Sequence, residues 1–143
     1  ADIGRARLLM EGFVEEDGSY VEDYVLATTV EEDGALAGSD GTRPVVVLNA
    51  CRIGRQGHTL TGTGGFAQAF VRAGAGVFVG TLWAVGDHPA RGFTEAFYAE
   101  LKKGRTDLAG AVKAARTAAK AAGDATWLAY VVYGDPRAKL KRG

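Results

Sequence analysis

The sequence is poor in the residues that reacting centres draw on most. Its 143 residues include one cysteine, two histidines, one methionine and three prolines. A lone cysteine excludes an internal disulfide and so a scaffold stapled by cross-links; the setting expected for such a chain is reducing, and we expect the cytoplasm. One cysteine and two histidines in no ligand spacing offer no donor set for a metal. Seventeen basic and seventeen acidic residues cancel to a formal net charge of zero, so no excess of positive charge competes for phosphate and no nucleic-acid partner is expected. The basic tail, Arg137, Lys139, Lys141 and Arg142, reads as a solvated terminus. No apolar run approaches bilayer length, and the opening Ala1-Asp2-Ile3-Gly4-Arg5 is not a basic segment followed by an apolar one. Neither a membrane span nor a signal peptide is expected.

What is present is an ordinary globular composition, 47% hydrophobic and 24% charged, enough for a single core and one domain over residues 1–143. The central stretch is Pro44-Val45-Val46-Val47-Leu48-Asn49-Ala50-Cys51. A continuous run of β-branched and aliphatic residues without polar alternation suits a strand covered on both faces, as in a parallel sheet flanked by helices. Cys51 then falls where the strand opens into a loop, the end at which α/β sheets gather ligands and reacting groups.

Before that strand, Leu8-Leu9-Met10 reads as a short strand broken by Gly12, Asp17-Gly18 as a turn, Tyr20 to Val30 as strand or hairpin, and Glu31 to Arg43 as a polar loop or weak hairpin. After it, Arg52 to Gly65 reads as a loop, Phe66 to Ala73 as a helix and Val77 to Trp83 as a second buried strand. Asp87-His88-Pro89 then starts a helix with Asp87 as N-cap, and Phe93, Ala96, Phe97 and Leu101 lie on its inward face. Thr106-Asp107 caps a further helix whose inward stripe, Leu108, Ala111, Val112, Ala115 and Ala119, is mostly small. Thr126 to Tyr133 reads as a third strand. Strand, helix, strand, helix pair, strand predicts an α/β fold, a three-layer α/β/α sandwich around a mostly parallel sheet, with an antiparallel last strand left open by pattern alone.

Cys51 has two readings, a small buried hydrophobe or a nucleophile; its place before a Gly-rich polar loop favours partial exposure, which a thiolate needs. A thiol nucleophile also needs a base. His58 lies in the same loop and is a possible one, beside its reading as a surface histidine. His88 reads as a first-turn residue. Gly62-Thr63-Gly64-Gly65 before a helix suggests a phosphate cradle, yet it lacks both the Gly-x-Gly-x-x-Gly spacing and a Gly-Lys-Ser/Thr ending. A nucleotide- or flavin-binding domain stays a lesser alternative. No cofactor is expected.

Several separated motifs, in order, carry a resemblance. Val46-Val47-Leu48-Asn49-Ala50-Cys51, Gly65-Phe66-Ala67, Gly74-Ala75, Leu82-Trp83-Ala84-Val85-Gly86-Asp87, Phe97-Tyr98, Ala114-Ala115-Arg116, Thr126-Trp127-Leu128-Ala129-Tyr130 and Tyr133-Gly134-Asp135-Pro136 together resemble the CHAT domain of the caspase-like cysteine peptidases. The resemblance implies a caspase-like fold, a nucleophile at Cys51 and cleavage of a protein substrate. It also implies sensor or repeat domains elsewhere in the full protein, or a regulatory protein partner. Related separases use an aspartate in a motif like Leu82 to Asp87 to receive the substrate residue before the cut, which makes Asp87, with Trp83 beside it, a candidate substrate contact. The oxyanion donors suggested are the N–H groups of Gly12 and Cys51.

The chain departs from the family at one place. The catalytic histidine of the family precedes a glycine just after a strand, and Leu8-Leu9-Met10-Glu11-Gly12 puts Glu11 there. A carboxylate beside a thiol opposes thiolate formation by like-charge repulsion. The first strands of the caspase-like fold also have no counterpart, so the chain is expected to be the C-terminal portion of the domain. A non-catalytic CHAT-like scaffold, a pseudo-peptidase, is therefore the alternative to an active peptidase.

Overall fold

The computed structural model of the chain describes residues 7–9, 12–49, 64–123 and 125–141. Three strands form the central sheet, in the order β5 (Val45–Leu48), β6 (Val77–Thr81) and β7 (Tyr130–Gly134). All five residues of β6 are buried, which accounts for its apolar run without alternation: it is hydrogen-bonded on both edges and covered on both faces.

Successive residues of the strands point to opposite sides, and the packing divides accordingly. Val77 and Val79, with Val45, Val47 and Tyr130, join a core with α3 (Asp87–Lys103) and α4 (Leu108–Ala121). Phe78, with Val46 and Leu48, joins a second core with α1 (Ala27–Asp33) and α2 (Gly64–Arg72). Helices thus lie on both faces of the sheet. In the second core Phe70 stacks on Phe78 at 5.6 Å and lies 6.3 Å from Phe66.

The pairing is mixed. β5 and β6 run parallel, as expected, whereas β6 and β7 are antiparallel, with Val79 opposite Val132. Among the described residues α2 lies between β5 and β6, and α3, α4 and the single turn α5 (Thr126–Ala129) lie between β6 and β7. The chain enters β7 from the end of the sheet at which it leaves β6. One of the two pairings in the sheet, β5–β6, is therefore parallel, and the expected mostly parallel sheet is not what these three strands form.

Local chemistry sets the helix ends. Asp107 caps α4, its carboxylate accepting from the Gly110 N–H at 2.9 Å. Ala111, Ala115 and Ala119 have no exposed surface, and their small side chains let α4 lie close on α3. Gly104 closes α3 in the left-handed conformation, φ 67°, which glycine adopts without a Cβ penalty. The expected N-cap of α3 is corrected: Gly86 occupies that position without a side-chain bond, and Asp87 is the first helical residue. Its carboxylate stays out of the capping role and near the positive end of the helix dipole.

Two other expectations are corrected. The segment read as strand or hairpin to Val30 and as polar loop or weak hairpin from Glu31 contains α1, because Ala27 and Val30 pack with Phe66, Ala67 and Ala69. The third strand begins later than expected, since Thr126–Ala129 is a single helical turn, α5, before β7. The amino-terminal region forms two short antiparallel pairs, β1 (Arg7–Leu9) with β4 (Tyr24–Leu26) and β2 (Phe13–Val14) with β3 (Tyr20–Val21). Leu8 packs against the second core. No helix among the described residues is long and apolar enough to cross a membrane.

Four surface carboxylates are held below their ordinary range by hydrogen bonds: Asp17 by the Ser19 hydroxyl, Asp40 by the Thr42 hydroxyl, Glu100 by the Lys103 ammonium and Asp135 by the Arg137 backbone N–H. A folded-state value below the unfolded one stabilises above the unfolded value, about 4, and is lost as pH falls through the lower folded value. The denaturant midpoint is therefore expected to decline as pH is taken below about 4, and added salt should shrink the Glu100–Lys103 share. A midpoint flat through that range would contradict this account.

Candidate functional site

The carboxyl end of β5 meets the first two turns of α3 in an open groove of about 320 Å³, lined by Asn49, Asp87, Ala90, Arg91, Thr94 and Glu95. Each wall has a local cause. Asn49 is the residue that follows the last strand position, where the ladder no longer claims its backbone. Ala90 and Arg91 stand three and four residues after Asp87, and Thr94 stands three and four after them, so the four lie along one side of α3.

A relay of hydrogen bonds ties the strand end to its neighbours. The Tyr130 hydroxyl donates to Asn49 Oδ1 at 3.2 Å, Asn49 Nδ2 donates to Thr94 Oγ1 at 3.0 Å, and the Thr94 hydroxyl donates to the Ala90 carbonyl at 2.9 Å. Both ends of the Asn49 amide are occupied, which holds its rotamer. The buried Tyr130 ring lies parallel to Phe93 at 3.5 Å between centroids, so the hydroxyl that starts the relay is anchored in the core.

Charges in the groove are unevenly committed. Arg91 Nε pairs with Glu95 at 2.6 Å, and that carboxylate raises the Arg91 guanidinium further above its ordinary value, by hydrogen bond first and Coulomb attraction second. Asp87 has no ion-pair partner among the described residues. It is exposed at the groove's mouth and is the lining carboxylate left open to an incoming cation.

The sequence candidates divide as follows. Asp87 lines the groove together with Asn49, which stands two positions before Cys51 in the chain. Trp83 sits after β6 with 47% of its surface exposed and does not line the groove. Gly12 donates its N–H to the Tyr20 hydroxyl at 3.1 Å; a Cβ there would collide with the Val21 carbonyl, so glycine suits that close approach. An oxyanion would have to displace Tyr20 from that donor. His88 is exposed in the first turn of α3. Cys51, Glu11 and His58 lie outside the described residues, as do Gly62 and Thr63. Gly64 and Gly65 belong to α2 rather than to a loop. Among the described residues no group of three His, Cys, Asp or Glu side chains is placed to hold a metal ion.

Sequence reasoning missed Thr94, Arg91 and Glu95 as groove residues and did not foresee the relay. The one available signal was the four-residue step between Ala90 and Thr94, which places Thr94 beside Asp87's side of the helix; nothing local pairs it with Asn49.

The fold and groove define an α/β domain with helices on both sheet faces and an open cleft at the carboxyl end of a parallel strand, the usual position for a site in such sheets. The sequence matches the CHAT domain family over residues 3–135, and the chain belongs to that family. No curated protein matches it.

Proposed function

We propose that this CHAT domain is a caspase-like cysteine peptidase module, built as an α/β/α sandwich, that cuts a protein substrate through Cys51 and accepts a basic side chain at Asp87. The observation that carries the reading is that Asn49, two positions before Cys51, lines the same groove as the uncommitted Asp87 carboxylate. In this reading Cys51 is the nucleophile and Asp87 sets the specificity.

In this reading the Cys51 thiolate attacks the scissile carbonyl carbon, the carbonyl oxygen takes the negative charge, and backbone N–H groups at Gly12 and Cys51 accommodate it. The intermediate collapses to a thioester as the amine leaves with a proton, and water then releases the acid. His58 is the histidine nearest in sequence to Cys51 and the candidate base. Its trigger and substrate come from a regulatory protein partner or from sensor or repeat domains elsewhere in the full protein, in a reducing cytoplasmic setting where the thiol stays free.

A second reading is supported by the sequence. The resemblance puts Glu11 where the family's histidine is expected, and a carboxylate there would withhold the thiolate. The domain then binds its basic segment without cutting it.

Fluorogenic peptides carrying Arg, Lys, Gln or Ala before the scissile bond separate the two. The peptidase reading expects preferential cleavage after Arg or Lys. Asp87→Asn should lower kcat/KM for those two about tenfold, between the worth of an exposed pair and that of a desolvated one, while leaving Gln and Ala peptides unchanged. Asp87-dependent binding without cleavage would establish the scaffold reading. Neither cleavage nor Asp87-dependent binding would sink both.

A further inference from the structure

Away from the Asp87 groove, a second depression of about 350 Å³ runs between α4 and α5. Lys113, Arg116 and Lys120 line it, Val112 and Trp127 supply apolar surface, and among the described residues no carboxylate contributes to the wall. The chain as a whole is neutral, so this is a local segregation of charge. The three cations follow one another at three- and four-residue steps along α4, which aligns them on one side of the helix over about 10 Å.

Among the described residues the cations have few partners. Arg116 donates from Nη2 to the Tyr130 carbonyl at 3.0 Å, while its buried Nε has no hydrogen-bond partner among them. Lys120 lies over the Trp127 ring, 5.1 Å from its centroid. Neither Lys113 nor Lys120 forms an ion pair with a carboxylate among the described residues. A partly buried guanidinium with an unmet donor, beside two ammonium groups and apolar walls, favours a ligand that brings both negative charge and apolar bulk.

From this we infer that the α4–α5 groove is a docking site for an acidic peptide segment of a partner protein, with Glu or Asp side chains meeting Lys113, Arg116 and Lys120 and an apolar side chain lying on Val112 and Trp127. The inference is independent of the peptidase reading, because the groove shares no residue with the Asp87 cleft. Charge complementarity selects the occupant. A nucleic acid suits the groove less well: three cations reach only a few phosphates, and the Trp127 face that a base would stack on carries Lys120.

The test is fluorescence anisotropy of the chain with a panel of fluorescein-labelled peptides that place Glu on both sides of a central Leu or Phe. Saturable binding is expected, weakening with salt. Lys113→Glu with Lys120→Glu should weaken it about tenfold, and Lys113→Gln with Lys120→Gln by less. Arg43→Glu with Lys139→Glu makes the same change in net charge at exposed positions that do not line the groove and should leave binding unaltered. Both lysines are exposed on α4; far-UV circular dichroism checks the fold of each variant, and the Gln pair carries the test if charge reversal disturbs it. The proposal is overturned if no peptide binds saturably, if Gln-for-Glu peptides bind equally well, or if the distal pair weakens binding as much. It is also overturned if a single-stranded oligonucleotide binds more tightly through the same lysines, or if sedimentation shows a dimer that the Lys113 and Lys120 changes dissolve.

Discussion

Glu11→His is expected to move the pH midpoint of Cys51 alkylation by iodoacetamide down by about two units, toward neutrality. A free thiol titrates near 8.5; a neighbouring carboxylate works against its ionisation and an imidazolium works for it. Two effects then compete at pH 7. The thiolate fraction rises steeply, while each thiolate becomes a weaker nucleophile as its basicity falls, with a Brønsted slope of about 0.4–0.5. The first is the larger, so a net gain of about fivefold in alkylation rate is expected. Cys51→Ala should remove the labelled site altogether, and in the Glu11→His background should also remove any gained peptide cleavage. An unmoved midpoint would show that Glu11 does not occupy the position of the family's histidine, and the scaffold reading would lose its support.

Phe93→Ala is the substitution expected to cost the fold most. Phe93 has no exposed surface, stacks on Phe97 at 6.1 Å and lies flat on Tyr130 at 3.5 Å. A parallel, face-to-face arrangement gains little from ring quadrupoles, so its worth comes from buried area and dispersion, and truncation leaves a ring-sized void between α3 and β7. A loss of about 3–5 kcal/mol follows, to be read from the denaturant midpoint at unchanged slope. Tyr130→Phe separates packing from the relay: it keeps the ring but removes the hydroxyl that donates to Asn49, at about 1 kcal/mol. Comparable losses for the two variants would mean that the stack contributes little. If the relay steadies the cleft, Tyr130→Phe should also raise KM for basic peptides more than its small stability cost would suggest.

Much of the architecture was legible because it rests on interactions within a few residues. Asp107 announces α4 through a carboxylate that reaches a backbone N–H three residues on, and the alanine stripe states which side is buried. The unbroken apolar run of β6 states that both of its faces are covered. Asp87 was identified as a candidate, but its role as a cap was misassigned. Asp two residues before Pro at a helix start suits N-cap and first turn alike, and the choice depends on the extended backbone of Gly86, which leads the chain into α3. The helical state of residues 27–33 was illegible for a related reason: Ala-Thr-Thr-Val has no strong helical preference, and burial of Ala27 against α2 decides it.

The sequence alone determined the family, the strand at Val45–Leu48, the strand at Val77–Thr81 and the helices at Asp87–Lys103 and Leu108–Ala121. Each depends on residue identity or on periodicity along the chain. Tertiary structure decided the antiparallel return of β7, the meeting of Asn49 with Asp87 and Thr94 in one groove, the Tyr130 relay behind it and the gathering of Lys113, Arg116 and Lys120 with Trp127 in another. Those depend on packing: Tyr130 and Asn49 stand 81 positions apart, and only the closing of α3 and β7 over β5 brings their hydrogen-bonding groups within reach.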